Sequence, residues 1–223
     1  MSEAVCPICL KPADLCVCAT IKPIDNRVFV LILQHPQEQD RELGTARLLR
    51  AQLKNSKLAT GLSWRNLGAA LGRPKGSEPD PKLWAVLFLG TAKTLPVDAD
   101  EIVALSRKGL PMPDQRAALS GIEGLIVLDG TWAQAKALWW RNAWLLKCRR
   151  IILNPKFRSR YGNLRREPRL ESLSTLESAA LVLAHLQKDQ SLQAVLIAPF
   201  EEMLRRYRAR KSAAKSAKNK SAS

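Results

Sequence analysis

The residues best placed to do chemistry stand in one short block, Leu125-Ile126-Val127-Leu128-Asp129-Gly130-Thr131-Trp132. Four apolar residues read as a strand buried on both faces, the pattern of a parallel sheet. Asp129 then falls at the strand's carboxyl end, where open α/β sheets place their ligands. Gly130 permits a tight turn, and Thr131 is suited to cap a following helix over 132–147. That helix would carry Trp132, Ala135, Trp139, Ala143 and Leu146 on one stripe. A carboxylate held beside a tryptophan there can take a proton from a substrate; an Asp that only caps the helix is the plainer alternative.

Two further clusters carry chemistry. Cys6, Cys9, Cys16 and Cys18 lie within thirteen residues as C-x2-C followed by C-x-C. Four thiolates so spaced suit one tetrahedral, structural zinc ion and leave no open coordination position for catalysis. Two disulfides would strain so small a loop, and no βαβ pattern surrounds the pair as a redox site would require. Cys148 stands apart as an inert thiol. From Lys147 to Arg169 there are nine Lys/Arg residues and one acid, with Phe157 and Tyr161 between them. Arg158, Arg160, Arg165, Arg166 and Arg169 are the candidates there for phosphate contact, with the aromatics for base stacking; a solvated charged loop is the alternative.

The net charge of +16 points the same way. Eight basic residues follow Glu202 with no acid among them, and the rest of the chain is still positive by 8. Such a surface draws polyanions, with affinity that falls steeply with salt. The composition of 211–223, only Lys, Ala, Ser and Asn, predicts a disordered basic tail. The longest apolar runs are far short of a membrane span, and no basic-then-apolar signal pattern opens the chain, so a cytoplasmic protein with no membrane contact is expected.

The elements that must position these residues alternate between strand and helix. Strands are expected at 27–34, 57–62, 83–89, 125–128 and 150–153, with a marginal one at 101–105. Helices are expected at 40–54, 64–71, 132–147, 174–188 and 192–210. Ser174 and Glu177 stand in capping-box spacing. His35, Glu38, Arg41 and Thr45 fall just past the first strand, near enough to share a cleft with Asp129. The expected fold is α/β, a parallel sheet with helices on both faces. An N-terminal zinc-binding segment (1–24) precedes the catalytic domain (25–210), and the tail follows.

Asp129-Gly-Thr-Trp132 resembles the D-x-T-W signature of DTW-domain proteins. The other blocks follow in the family's order: the four cysteines, His35-Pro36 with Glu38, Arg41 and Thr45-Ala46, then Arg165-Arg166-Glu167-Pro168, then Leu173-Ser-Thr-Leu-Glu177. The departure is Gly44, where the family pattern carries asparagine. The resemblance implies a tRNA-uridine aminocarboxypropyltransferase. Such an enzyme moves the 3-amino-3-carboxypropyl group of S-adenosyl-L-methionine to N3 of a uridine, at tRNA position 47 in bacterial members, and releases methylthioadenosine. It also implies a SPOUT-like sheet with a knotted C-terminal half, which hydrophobic periodicity alone would not suggest.

Carried over, Asp129 becomes the general base. Leu128, Thr131 and Trp132, with Leu89-Gly90-Thr91 and Leu173-Ser174-Thr175-Leu176, become the cofactor loops. Arg165, Arg166 and Glu167 fall near the active site or tRNA. The implied partner is tRNA, and no protein partner is implied. The chemistry is consistent: uracil N3 must lose its imide proton before it attacks, and a sulfonium is electrophilic without a metal, so alignment and one proton acceptor suffice. Two rival readings fit the same residues. A SPOUT-type RNA methyltransferase would use the same cofactor at another carbon. A non-catalytic zinc-ribbon RNA-binding factor would need the cysteines and the basic surface but not Asp129.

Overall fold

Five of the expected apolar runs pair side by side in a computed structural model, which describes residues 5–87, 99–164 and 173–221. They are β1 (Phe29–Gln34), β2 (Ser56–Thr60), β3 (Trp84–Leu87), β5 (Gly124–Asp129) and β6 (Arg149–Leu153). All five run parallel. The marginal strand is real as β4 (Ile102–Leu105), but it pairs antiparallel with β6 at the edge. The sheet is therefore mixed, in the order β2-β1-β5-β3-β6-β4, rather than all parallel. An edge strand meets only one neighbour, so its direction is not constrained by crossovers on both sides.

Alternate residues of the central strands feed two cores. Val30, Ile32, Leu125 and Val127 face α1 (Ala46–Gln52), α5 (Thr175–Gln187) and α6 (Ser191–Ser221). Leu31, Leu33, Ile126 and Leu128 face α2 (Leu67–Leu71) and α4 (Trp132–Arg141). Helices cover both faces, as the continuous apolar runs require. A short helix, α3 (Gln115–Leu119), lies over the β4 edge.

Three elements depart from expectation. The tryptophan-rich helix stops at Asn142 and continues as a 3-10 turn, Ala143–Lys147. The buried Asn142 side chain explains the break. Its Oδ1 accepts from Trp64 N (2.8 Å) and Trp144 Nε1 (3.2 Å), while Nδ2 donates to Leu62 O and Leu138 O. Consequently Ala135, Leu138, Trp144 and Leu145 are buried, and Trp132 and Leu146 of the expected stripe are exposed. The helix expected over 40–54 begins only at Ala46, after a turn that includes Pro36–Glu38. The last helix runs on to Ser221, so the expected disordered tail is helical, although Lys211–Ser216 are exposed. A stretch of Ala and Lys without Gly or Pro extends a helix already nucleated by packing.

Candidate active site

Strand register brings three side chains into one row across the sheet's carboxyl edge. Thr60 ends β2, Gln34 ends β1 and Asp129 ends β5, and these residues are direct partners. Thr60 Oγ1 donates to Gln34 Oε1 (3.3 Å), and Gln34 Nε2 donates to Asp129 Oδ2 (2.9 Å). From the next layer, Thr175 at the start of α5 donates Oγ1 to Asp129 Oδ1 at 2.5 Å. Asp129 is 8% exposed, so the carboxylate is sheltered with one hydrogen bond on each oxygen. Each oxygen retains a second lone pair. Asp129 is thus oriented and still able to accept a proton; it does not cap α4. That duty falls to Thr131 with Gln134, which form a capping box.

The loop after β1 closes the other side. His35 N donates to Asp129 O, extending the β1–β5 pairing by one residue, while its Nδ1 accepts from Gln37 N. Gln134 Nε2 reaches Gln37 Oε1 (3.1 Å) and ties α4 to this loop. Thr45, at the N-terminus of α1, is buried and accepts the Leu176 N–H at 3.3 Å. Glu38 is buried beside Arg41 (3.4 Å), and its Oε1 has no hydrogen-bond partner among the described residues. Gly130 is needed for close approach: a Cβ there would sit 2.8 Å from Gln134 Cβ and break the capping box.

Of the expected cofactor residues, Thr175 contacts Asp129, and Ser174 and Leu176 are buried beside it. Leu173 is partly buried against the core. Leu128 faces the α4 core rather than the row, and Thr131 and Trp132 lie exposed on the first turn of α4. Leu89, Gly90, Thr91, Arg165, Arg166, Glu167 and Arg169 lie outside the described residues. Arg158 is exposed. Arg160 pairs with Glu201 (2.8 Å) and lies over the Phe157 ring. Tyr161 is not available for base stacking: it is 1% exposed, packs edge-on against Phe200 and donates its hydroxyl to Leu43 O (2.6 Å).

Glu177 does more than its capping box requires. Fully buried, it accepts from Ser174 N and Ser159 Oγ (2.8 Å each) and from Arg160 N (2.7 Å). It therefore ties the start of α5 to the basic loop. Gln34 was hidden as the last letter of a strand; a polar residue closing an otherwise apolar run was its only signal.

The four N-terminal cysteines converge, with their sulfurs all within 4.8 Å of one another. Cys9 Sγ and Cys16 Sγ are 3.8 Å apart. Zn–S bonds of ~2.3 Å in a tetrahedron give S···S separations of about 3.8 Å, so the cluster fits such an ion. The Cys9 main-chain N–H draws the Cys6 thiol down to about 7, whereas burial holds Cys9 up at about 11. A divalent ion among them would deprotonate the set. Two residues beyond Cys9, Lys11 is 4% exposed and donates Nζ to Arg41 O (2.6 Å). Burial lowers its ammonium to about 8, against the nearby charges of Cys9, Glu42 and Asp129.

Comparison with known proteins adds the decisive observation: the model of the DTW domain matches residues 3–208. The chain belongs to the DTW-domain family. Its similar relatives include tRNA-uridine aminocarboxypropyltransferase 2 of Macaca fascicularis, 29% identical over 200 residues, and of Mus musculus, 28% identical over 200 residues. Each alignment covers 89% of this chain and 61% of the relative. The protein of the same name from Drosophila melanogaster is 30% identical over 203 residues, covering 89% of this chain and 72% of that protein. The chain thus spans about three-fifths of the length of the mammalian relatives it matches. No solved structure matches significantly. In this DTW-domain protein the signature block lies at the β5–α4 junction, and no helix among the described residues is long and apolar enough to cross a membrane.

Proposed function

We propose that this chain is a tRNA-uridine aminocarboxypropyltransferase. It would transfer the 3-amino-3-carboxypropyl group of S-adenosyl-L-methionine to N3 of a uridine, forming acp3U at tRNA position 47. The observation that carries the reading is Asp129: buried, fixed by Gln34 and Thr175, with free lone pairs at the sheet's carboxyl edge. The names of the relatives and the basic surface support tRNA as substrate.

When bound, the sulfonium donor supplies an activated carbon and a neutral thioether leaving group. The chain's own part is to hold and to deprotonate. Thr175 and Gln34 keep the Asp129 carboxylate in one orientation, and Thr60 keeps Gln34 in its own. Asp129 accepts the N3 proton on an unused lone pair, and the uracil nitrogen then attacks the donor's γ-carbon. Leu173–Leu176, with Leu89–Thr91, Leu128, Thr131 and Trp132, form the donor's surroundings in this reading. Arg158, Arg165, Arg166 and Arg169 contact tRNA, whereas the ion pair of Arg160 gives it a structural share. Cys6, Cys9, Cys16 and Cys18 hold a structural zinc ion away from the reacting atoms. The SPOUT-like, knotted C-terminal half belongs to the same reading; the start of α5, enclosed between Thr45 and Asp129, supports it. A cytoplasmic location goes with a tRNA substrate.

The test is mass spectrometry of tRNA nucleosides after incubation with enzyme and S-adenosyl-L-methionine. Acp3U with release of methylthioadenosine is expected. A methylated base with S-adenosylhomocysteine would replace this reading by a methyltransferase. Asp129→Ala should abolish modification and leave tRNA binding intact. Loss of binding in the folded variant would contradict Asp129's role.

A further inference from the structure

Trp140 is 71% exposed, the most exposed large apolar side chain among the described residues. Tryptophan is highly buried on average, so an indole left this far in water needs a reason. Its place in the fold supplies one. Both ends of α4 are tied to loops that leave the sheet's carboxyl edge. At the first turn Gln134 binds Gln37 of the loop after β1 (3.1 Å). At the last, Ser63 Oγ donates to Arg141 O (3.0 Å), and the Asn142 side chain holds Leu62 O and Trp64 N of the loop after β2. Those loops follow Gln34 and Thr60, the companions of Asp129 in the polar row. The helix thus passes alongside that row with Ala135 and Leu138 turned inward, while Lys136, Trp140 and Arg141 are exposed.

The charge on this face is of one sign. No acid occurs from Trp132 to Arg150, and Lys136, Arg141 and Lys147 are all exposed. An indole flanked only by cations complements a strand whose bases offer π-faces and whose phosphates are negative. A second copy of the chain would bring like charges together. A lipid surface would need an unbroken apolar stripe, which Lys136 interrupts between Trp132 and Trp140. We propose that this outer face of α4 receives unpaired nucleotides of the RNA next to the target uridine: a base stacks on Trp140, and Lys136 and Arg141 meet the flanking phosphates. The inference rests on the reading above, in which tRNA is the substrate. Trp132, at the end of the helix next to Asp129, keeps its place in the donor's surroundings. Every base has a π-face, so the surface holds the strand across the edge without choosing its sequence.

The experiment measures equilibrium binding of unmodified tRNA to the full chain over a series of salt concentrations. Trp140→Ala should weaken binding about tenfold at every salt, with the slope of log affinity against log salt unchanged, because stacking releases no counterions. Trp140→Phe should recover part of the loss. Lys136→Gln should instead reduce the slope by about one. A single-stranded RNA oligonucleotide should show the same dependence on Trp140, and a blunt duplex none. The melting temperature of Trp140→Ala should match wild type, since the indole is exposed. Unaltered tRNA affinity in Trp140→Ala would overturn the proposal, as would a loss that flattens the salt slope. Dimerisation or binding to phosphatidylglycerol vesicles that depends on Trp140, with tRNA affinity untouched, would assign the face to another partner. Trp140-dependent tRNA binding without any acp3U would sink the proposed function and leave this surface standing.

Discussion

At the residue scale, the strongest consequence concerns the Asp129 carboxylate. Replacing it with asparagine keeps the shape, because the Thr175 hydroxyl can turn to accept the new N–H while Gln34 still donates to the amide oxygen. What disappears is the proton acceptor. Asp129→Asn should therefore lower single-turnover transfer by at least about 10²-fold with donor affinity little changed. A full rate in that variant would leave Asp129 only an orienting role. Cys148 offers a second check. Burial alone pushes its thiol up to about 12, so it stays protonated and unreactive at pH 8. Mass spectrometry of the native protein alkylated at pH 8 should find Cys148 unmodified, with its adduct appearing only on unfolding.

At the scale of elements, two buried contacts determine how the site is framed. Gly124 opens β5, where a Cβ would lie 2.3 Å from the Trp84 ring of β3. Gly124→Ala must push that indole aside, at about 1–3 kcal/mol. For a chain of this size the melting temperature should drop by roughly 2–4 °C per kcal/mol, measurable by calorimetry. Glu177 joins α5 to the 159–160 turn through two donors, Ser159 Oγ and Arg160 N, and accepts a third bond from Ser174 N at its own cap. Glu177→Gln turns an N–H toward one of them and strands a buried donor, about 1–3 kcal/mol. Because α5 also carries Thr175, transfer should weaken in the folded variant before tRNA binding does.

At the scale of the whole molecule, α6 works as a clasp. Arg206 donates to Cys16 O (2.5 Å) and pairs with Glu202, whose carboxyl Arg205 and Arg206 together hold down at about 2. One turn later Arg210 pairs with Asp14 and Glu42, joining the cysteine segment, the β1–α1 loop and the last helix. Past Arg210 the helix is exposed over Lys211–Ser216, and the sequence from there on carries only positive charge. Removing 211–223 should weaken tRNA binding at low salt, with the difference vanishing as salt rises, and leave kcat unchanged. Titration at several salt concentrations checks this; an equal loss at every concentration would mean specific contacts.

Local pattern was enough for much of this. The strand before Asp129, the Thr131 cap, the Ser174–Glu177 capping box and the cysteine quartet were legible because each depends on neighbours a few residues apart. The row of Thr60, Gln34, Asp129 and Thr175 was not, since its members come from four separated elements and meet only through strand register and the docking of α5. The same holds for the stop at Asn142, the reversed β4, the burial of Tyr161 and the reach of Lys11. Hydrophobic spacing along a chain specifies which face of an element is hidden. Which polar groups are then hidden together is decided by packing between distant segments, and that choice exists only in the folded molecule.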